Sequence, residues 1–261
     1  MRVDAFLLNN ELHILEMRLN ILDPVMDQFV IVESTVEFSG RSKPLWYADN
    51  KERFSPWKDK IKHYVVNDTP DSGADRWPRE YHQRGAIIRG LSGCKSNDLV
   101  YMSDVDEIPD PDVVRTNRHG GHRQVYSMYH VNAIVEAESW VGTTAMYYFQ
   151  YQQLGMQQAR NDRYKLSIIE HGGWHFAYLM TPQQMHEKLK AFAHAEHDNQ
   201  NIHSVLEQRV SGLRDLFGAH QQPLKVVDVQ SGYFPRHLKE NQSKYESWII
   251  GLEPHRSLAG G

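Results

Sequence analysis

Cysteine is nearly absent from this sequence, and so are the features that would place the chain in a membrane or on nucleic acid. The single cysteine, Cys94, excludes an internal disulfide and is typical of a reducing compartment. No run of residues approaches the roughly 20 apolar positions that a membrane-spanning helix needs. Acidic residues outnumber basic ones, 33 to 29, whereas nucleic-acid binders carry a basic excess. We therefore expect a cytoplasmic protein without a membrane span and without general affinity for nucleic acid.

The common signatures of nucleotide and metal enzymes are missing as well. There is no GxxxxGK[ST] loop, no GxGxxG after the first apolar run and no HExxH, although His194 and His197 are spaced to share a helix face. A calcium-binding EF-hand loop beginning at Asp104 would need glycine and glutamate where Pro109 and Arg115 stand. These absences disfavour the usual triphosphate, dinucleotide, zinc-protease and EF-hand proteins.

The first half of the chain alternates strand-like and helix-like segments. Leucines at intervals of three, four and three indicate one helix, and Pro78 suits the first turn of another. The predicted strands are 2–8, 28–33, 60–66 and 98–102, and the predicted helices are 12–22 and 77–91. Alternation of this kind is typical of a parallel sheet, so we predict an α/β protein with a Rossmann-like, mostly parallel central sheet flanked by helices.

The second half is less regular, with sheet-like segments followed by helices. Residues 124–135, 144–152, 165–169 and 174–179 are rich in aromatic and branched residues and are predicted as sheet. Thr181, Pro182 and Gln184 form the capping box of a helix, and a second helix is predicted over 204–217. Without an internal repeat or a linker, residues 1–261 are predicted to form one domain with a helical C-terminal part.

The segment DLVYMSDVDEIPDP, residues 98–111, places acidic residues directly after a buried strand. Asp104 and Asp106 lie at positions i and i+2 beyond the carboxyl end of that strand, where ligands bind in open α/β sheets. Two such carboxylates can hold Mg²⁺ or Mn²⁺ together with a diphosphate. The alternative is a solvated acidic turn. Asp110 and Asp112, around Pro111, are predicted to cap a helix instead.

Several segments in order along the chain resemble one family of enzymes, glycosyltransferase family 17. The resemblance lies in NNELHILEMRLNIL (9–22), FVIVESTVEFSGRSKPL (29–45), WPREYHQR (77–84), LVYMSDVDEIP (99–109) and GGWHFAYLMTPQQMHEKLKAFAHAE (172–196). It implies a GT-A fold in which residues 1 to about 115 bind a nucleotide sugar and residues from about 116 to 261 bind the acceptor. It also implies an inverting transfer of a sugar such as N-acetylglucosamine from a UDP-sugar to a glycan or small glycoside, with Mn²⁺ or Mg²⁺ as cofactor.

The resemblance assigns roles to residues of the first half. Asp104 and Asp106 correspond to the DxD motif of such enzymes, which binds the metal and the diphosphate, with Asp106 as the more direct metal ligand. Glu33, at the end of the second strand, stands where these folds contact uridine or ribose. Lys43 and Arg84 are expected to neutralise diphosphate oxygens, for which arginine has a suitable planar fork.

The resemblance also assigns roles to residues near the GGWH segment. His175 is expected to ligate the metal or to donate a hydrogen bond to the diphosphate. Trp174 and, with less support, Trp140 are expected to stack on a sugar. For each of these the alternative is a packing role in the core.

A carboxylate should deprotonate the acceptor hydroxyl in such a transfer. Glu107 is adjacent to the metal site and, with Asp104, is predicted to be catalytic. Four other carboxylates remain open as the base, namely Glu136, Glu138, Asp162 and Glu170.

Two other functions remain open at this stage. A phosphatase or phosphotransferase of the haloacid dehalogenase type would use Asp104 as its nucleophile. A non-catalytic protein on a transferase fold would bind glycans without using a nucleotide. The oligomeric state is not predicted.

Overall fold

The computed structural model describes residues 1–136, 139–219 and 222–251 as a mixed sheet with helices on both faces. The strands are β1 (Arg2–Leu7), β2 (Gln28–Ser34), β3 (Ile61–Val66), β4 (Leu99–Asp104), β5 (Glu107–Pro109), β6 (Gly120–Met128), β7 (Ala133–Ile134), β8 (Trp140–Tyr147), β9 (Ile168–Ala177) and β10 (Lys225–Val226). The helices are α1 (Leu12–Leu22), α2 (Trp46–Asp49), α3 (Trp77–Gly85), α4 (Ile87–Gly90), α5 (Pro111–Arg115), α6 (Tyr148–Leu154), α7 (Met156–Asn161), α8 (Pro182–Ala191), α9 (Gln200–Ser211) and α10 (Arg236–Glu240). Short 3₁₀ turns cover Lys51–Trp57, Arg163–Lys165, Ala195–His197 and Gln242–Trp248.

The sheet is parallel in its first half and largely antiparallel in its second. Its order is β10-β7-β6-β8-β4-β1-β2-β3, and β9 pairs with both β5 and β6. The neighbours β4, β1, β2 and β3 are parallel, as the alternating pattern predicts. Beyond β4 the pairings are antiparallel except for β6 with β9. The prediction of a mostly parallel sheet therefore holds for the first half only.

Apolar side chains on the two faces of the sheet form separate cores. On one face α1 packs with Phe29, Ile31 and the C-terminal segment around Leu238. On the other face α3, α4, α6 and α7 cover Val30 and Val100. A third cluster lies beneath α8 and α9. Because both faces of β1, β2 and β4 are covered, these strands are mostly apolar. Their polar residues lie at the strand ends, except for Asp4, which is buried within β1.

The elements predicted from sequence agree with the structure except at a few points. The capping box of Thr181 and Gln184 is present, and Asp110 caps α5 by accepting the backbone N–H of Asp112. The sheet predicted over 144–152 is wrong in its second part, because the chain enters α6 at Tyr148. The helix predicted over 77–91 is divided between α3 and α4, and the one predicted over 204–217 runs from Gln200 to Ser211. Among the described residues, every helix is too short or too polar to cross a bilayer.

Candidate active site

A cavity of about 650 Å³ opens at the carboxyl edge of the parallel strands. This volume lies within the usual range for small-molecule sites, roughly 300–1,000 Å³. Parallel pairing sets Leu7 of β1 opposite Asp104 of β4, so the segments that leave these strands border the same space. Residues that follow β1, β2 and β4 line the cavity, together with side chains from β6, β8, β9, α7 and α8.

The turn between β4 and β5 lies at the base of the cavity, and Arg18 of α1 fixes the backbone of this turn. The guanidinium of Arg18 is fully buried and pairs with both carboxylate oxygens of Asp4, at 2.6 and 2.7 Å. It also donates to the backbone carbonyls of Asp104, Val105 and Glu107, at 3.0, 3.1 and 3.0 Å. Since one rigid fork holds three carbonyls, the position of the acidic side chains is set before any ligand binds.

Asp104 is held between two arginines. Its Oδ1 accepts a hydrogen bond from Arg84 and its Oδ2 accepts one from Arg160, each at 3.0 Å. Burial alone raises the pKa of Asp104, but the charges of Arg84 and Arg160 outweigh it and lower the pKa to about 2. Arg84 is bound in turn to Glu80 and Gln157. Arg84 therefore lines the cavity as predicted, but its donors are engaged with protein groups.

Glu107 lies deeper than Asp104, and each of its two carboxylate oxygens accepts two hydrogen bonds. Arg160 donates two hydrogen bonds to it, both at 2.8 Å, and Trp140 Nε1 and the backbone N–H of Asp104 donate at 2.8 and 2.9 Å. Only 1% of Glu107 is exposed. A carboxylate so fully engaged is poorly suited to accept a proton from a substrate, and this corrects the expectation that Glu107 is the base. Its contacts instead hold Arg160 and Trp140 in place.

Asp106 differs from both of these carboxylates because its contacts are long. Its Oδ1 lies 3.8 Å from His175 Nε2 and its Oδ2 lies 3.5 Å from Lys188 Nζ. Neither distance is a good hydrogen bond. Burial raises the pKa of Asp106, but Lys188 and His175 outweigh it and hold the pKa well below its usual range. Asp106 is therefore an ionised carboxylate with room for a further partner.

His175 reaches the cavity because β9 pairs with β5, which sets His175 opposite Glu107. Its ring contacts the rings of both Tyr126 and Trp140, with centroids 4.7 and 4.8 Å away. Its Nδ1 is buried and has no hydrogen-bond partner. That His175 ligates a metal or donates a hydrogen bond to a diphosphate stays a prediction.

Two more charged side chains in the cavity wall have unpartnered atoms. Glu11 follows β1; its Oε1 pairs with Lys188 Nζ at 3.1 Å, while its Oε2 is buried without a hydrogen-bond partner. The ammonium of Lys43 is also buried without one. Burial lowers the pKa of Lys43, and the charges of Glu33, Glu11 and Glu37 oppose this effect. Both residues line the cavity, so these unpaired groups are available to a ligand.

Two predicted binding residues lie outside the cavity wall. Trp174 is 2% exposed and packs in the core with its Nε1 donating to the carbonyl of Tyr233 at 2.8 Å, so it cannot stack on a sugar here. Glu33 is fully buried, accepts the backbone N–H of Tyr47 and lies 2.8 Å from His63 Nε2. These contacts hold the segment around Tyr47 against the end of β2. For Glu33 to contact uridine, its side chain would have to leave Tyr47 and His63.

The alternative bases are also placed away from the cavity. Glu136, Asp162 and Glu170 pair at the surface with Lys225, Lys165 and Arg123 respectively. None of the three lines the cavity. Glu138 lies outside the described residues.

Sequence reasoning missed Glu11, Arg18, Arg160 and Lys188. Glu11 carried a usable signal, because it follows β1 at the same edge where Asp104 follows β4. Lys188 lies three residues after the buried Met185 of α8, hence on its inner face. Arg160 comes from an unpredicted helix, so no periodicity pointed to it.

Within the acidic turn after β4, the residues present fit a divalent cation between Asp106 and His175. Asp106 and His175 offer an oxygen and a nitrogen 3.8 Å apart, close enough for two atoms that ligate a common ion. Asp104 is turned to its arginines. Within the described ranges Asp104, Asp106 and His175 do not converge as a three-ligand group. A metal here would be held by two protein side chains and would need ligand oxygens to complete its shell.

The sequence is similar to known glycosyltransferases. The model of glycosyltransferase family 17 matches residues 1–214. Two similar curated proteins are the beta-1,4-mannosyl-glycoprotein 4-beta-N-acetylglucosaminyltransferases of Homo sapiens and Rattus norvegicus, each 21% identical. The matches cover 99% of this chain but only 57% and 56% of those proteins, so the chain spans little more than half their length. Of the residues that line the cavity, Asp215, Phe217 and Ala219 lie beyond the matched range. The chain belongs to glycosyltransferase family 17.

Proposed function

We propose that this protein transfers a sugar from a UDP-sugar to a hydroxyl group of a glycan or small glycoside, with inversion at the anomeric carbon. One observation carries the proposal: three buried unpartnered atoms, Glu11 Oε2, Lys43 Nζ and His175 Nδ1, belong to residues that line one cavity. Buried polar groups rarely lack partners unless a ligand or water supplies them. Membership of family 17 and the names of the relatives make N-acetylglucosamine the first sugar to test.

The fold proposed for this activity is of the GT-A type. The supporting features are the parallel strands β3, β2, β1 and β4, and the acidic turn that follows β4 at the edge where ligands bind. The acceptor would enter from the side of Trp140 and Tyr126, whose rings stack near the cavity surface. Aromatic faces of this kind suit the apolar face of a sugar ring.

Asp106 and His175 would hold Mn²⁺ or Mg²⁺, which neutralises charge on the leaving diphosphate. Lys43 and Lys188 add positive charge in the same cavity. Burial lowers the pKa of Lys188, but Glu11 and Asp106 outweigh it and raise the pKa above its usual range, so this ammonium stays charged. Positioned cations of this kind stabilise charge that develops as the sugar leaves UDP.

Glu11 is proposed as the base. Its free Oε2 takes the proton of the acceptor hydroxyl as that oxygen bonds to the anomeric carbon, and the bond to the diphosphate breaks with its electron pair leaving on UDP. Lys188 Nζ lies 3.1 Å from the other carboxylate oxygen of Glu11, Oε1, and holds the side chain in place. This assignment replaces Glu107, whose oxygens are all engaged.

The phosphotransferase alternative finds little support. Both oxygens of Asp104 are bound by arginines, which lowers the nucleophilicity that a phosphoaspartate mechanism needs. The family that the chain matches is one of glycosyltransferases. The compartment remains a prediction, and the one half-buried cysteine keeps the cytoplasm as the proposed location.

Thermal unfolding with UDP and Mn²⁺ tests the proposed function. At a UDP concentration about 100 times Kd, we expect the Tm to rise by about 5–10 °C. Asp106→Ala should remove the Mn²⁺-dependent part of this rise. Asp112→Ala is the matched control, because Asp112 lies in the same acidic stretch but is 87% exposed on α5.

Release of UDP from UDP-N-acetylglucosamine and other UDP-sugars, measured with and without a glycoside acceptor, then identifies the donor. Absence of any shift with nucleoside diphosphates would contradict the proposal. Binding of glycans without a nucleotide effect would instead indicate the non-catalytic alternative.

A further inference from the structure

A second group of metal-ligating side chains lies at the rim of the same cavity. His194, Glu196 and His197 offer one ligand atom each, and these atoms lie within 4.8 Å of one another. They follow α8, where a 3₁₀ turn over Ala195–His197 brings positions i, i+2 and i+3 to one side. His194 and His197 both line the cavity. Nothing in the proposed sugar transfer uses this group.

We propose that His194, Glu196 and His197 bind a Zn²⁺-class cation, independently of the position at Asp106 and His175. Two imidazoles and one carboxylate form a donor set that suits zinc and other late transition metals better than Mg²⁺ or Mn²⁺. Tetrahedral zinc with bonds of about 2.1 Å places its ligand atoms about 3.4 Å apart. Exposed side chains at 4.8 Å or less reach that spacing by small rotations about their side-chain bonds.

The surroundings hold both imidazoles near this geometry. The ring of His197 stacks on Phe217 at 4.1 Å, and the ring of His194 meets the edge of Trp77 at 4.6 Å. His194 Nδ1 lies 2.7 Å from Glu196 Oε1, so these two ligands are already together.

The backbone of this segment is anchored as well. Arg76, just before α3, donates to the carbonyls of Lys190 and Phe192, both at 3.1 Å. The same guanidinium pairs with Asp198 at 3.0 Å. Because both ends of the turn are fixed to one arginine, the three ligands need little ordering when a cation binds.

Three protein ligands leave one position of a tetrahedral ion open. Since two of the three ligands line the cavity, an anionic group of a cavity ligand can occupy that position. The site thus takes a zinc-class ion, and an oxygen anion is the fourth ligand that its chemistry favours.

Titration of the metal-free full-length protein with Zn²⁺, followed by calorimetry, tests the proposal without any sugar nucleotide. We expect one equivalent to bind, and Co²⁺ in its place to give the intense visible absorption of a tetrahedral complex. His197→Ala and Glu196→Gln should each weaken binding by at least about tenfold. His119→Ala is the matched control, since His119 is exposed and does not line the cavity.

Asp106→Asn should keep full Zn²⁺ affinity, so this test and that of the proposed function fail separately. Far-UV circular dichroism establishes that each variant is folded, and Glu196→Gln provides a second, nearly isosteric change. Zinc binding unchanged in both His197→Ala and Glu196→Gln, or no binding at 100-fold molar excess of Zn²⁺, would overturn the proposal.

Discussion

The two aspartates of the DVD turn, Asp104 and Asp106, share one motif but have opposite environments. Asp104 is neutralised on both oxygens by arginines at 3.0 Å, whereas Asp106 lies 3.5 Å from Lys188 Nζ and 3.8 Å from His175 Nε2. Glu107 belongs with Asp104, and the unpaired atoms of Glu11 and His175 belong with Asp106. Asp104 and Glu107, with the arginines that pair with them, form a floor that builds the site. Asp106, Glu11 and His175, which have unpaired or distant partners, form a wall that can bind a ligand.

The largest effect should come from breaking the floor. Arg160→Met leaves Asp104 and Glu107 without their shared cation in a buried position. Loss of one partner from a buried pair costs about 3–5 kcal/mol, so we expect the free energy of unfolding in urea to fall by that amount. Arg115→Met is the matched control, because Arg115 pairs only with Asp112 at the surface. It should change stability by less than about 0.5 kcal/mol. Equal losses in the two variants would show that the floor is not a buried network.

The next effect should come from the wall. Asp106→Asn removes the charge that faces the cavity, and we expect the rate of UDP release to fall by about 100- to 1,000-fold, a much larger effect than its loss of Tm. In Asp104→Asn we expect the loss of Tm to be the larger effect, because Arg84 and Arg160 each lose one charged partner. Initial rates and Tm measured on both variants test whether the two aspartates have different roles. The comparison fails if the two variants lose rate and Tm in the same proportion.

A smaller loss is expected at Glu11. Glu11→Gln keeps the shape of the side chain but removes its ability to take a proton, so kcat should fall by about 100-fold with KM for the donor nearly unchanged. Steady-state kinetics with saturating acceptor measure this. Glu80→Gln is the control, since Glu80 also lines the cavity but is bound to Arg84. An unchanged kcat in Glu11→Gln would remove Glu11 from the role of base.

The smallest effect should be the dependence of stability on acid. The pKa values of Asp104 and Asp106 are lower in the folded protein than the value of about 3.9 in an unfolded chain. Their contribution to stability is therefore complete above about pH 4 and is lost as the pH falls through the folded values, near 2 for Asp104. Urea unfolding at pH 5, 4, 3 and 2 should show this decline. Asp106→Asn should reduce its slope, and an identical slope in the variant would contradict the low pKa of Asp106.

The sequence was informative where one segment builds the structure alone. The strand before Asp104, the cap at Asp110 and the capping box of α8 are local, and all were predicted. The edge at which the ligand cavity lies also followed from the order of strands and helices. Pairings between distant segments did not, because nothing in the sequence shows which strand β8 or β9 joins.

The same limit explains the errors at the site. Glu107 follows the acidic motif directly, but the side chains that engage its carboxylate, Trp140 and Arg160, lie 33 and 53 residues away in the sequence. Trp174 and His175 are neighbours on a strand and must point to opposite faces. The sequence does not say which face is the core, and the structure buries Trp174 and turns His175 to the cavity.

A crystal structure with UDP and Mn²⁺ would test most directly whether Asp106 binds the ion while Asp104 stays paired with its arginines. The ion is located by its anomalous scattering. We expect Mn²⁺ to be bound by the carboxylate of Asp106 and by His175, with Asp104 still paired with Arg84 and Arg160. An ion bound by Asp104 with both arginine pairs broken, or an ion far from Asp106, would contradict it.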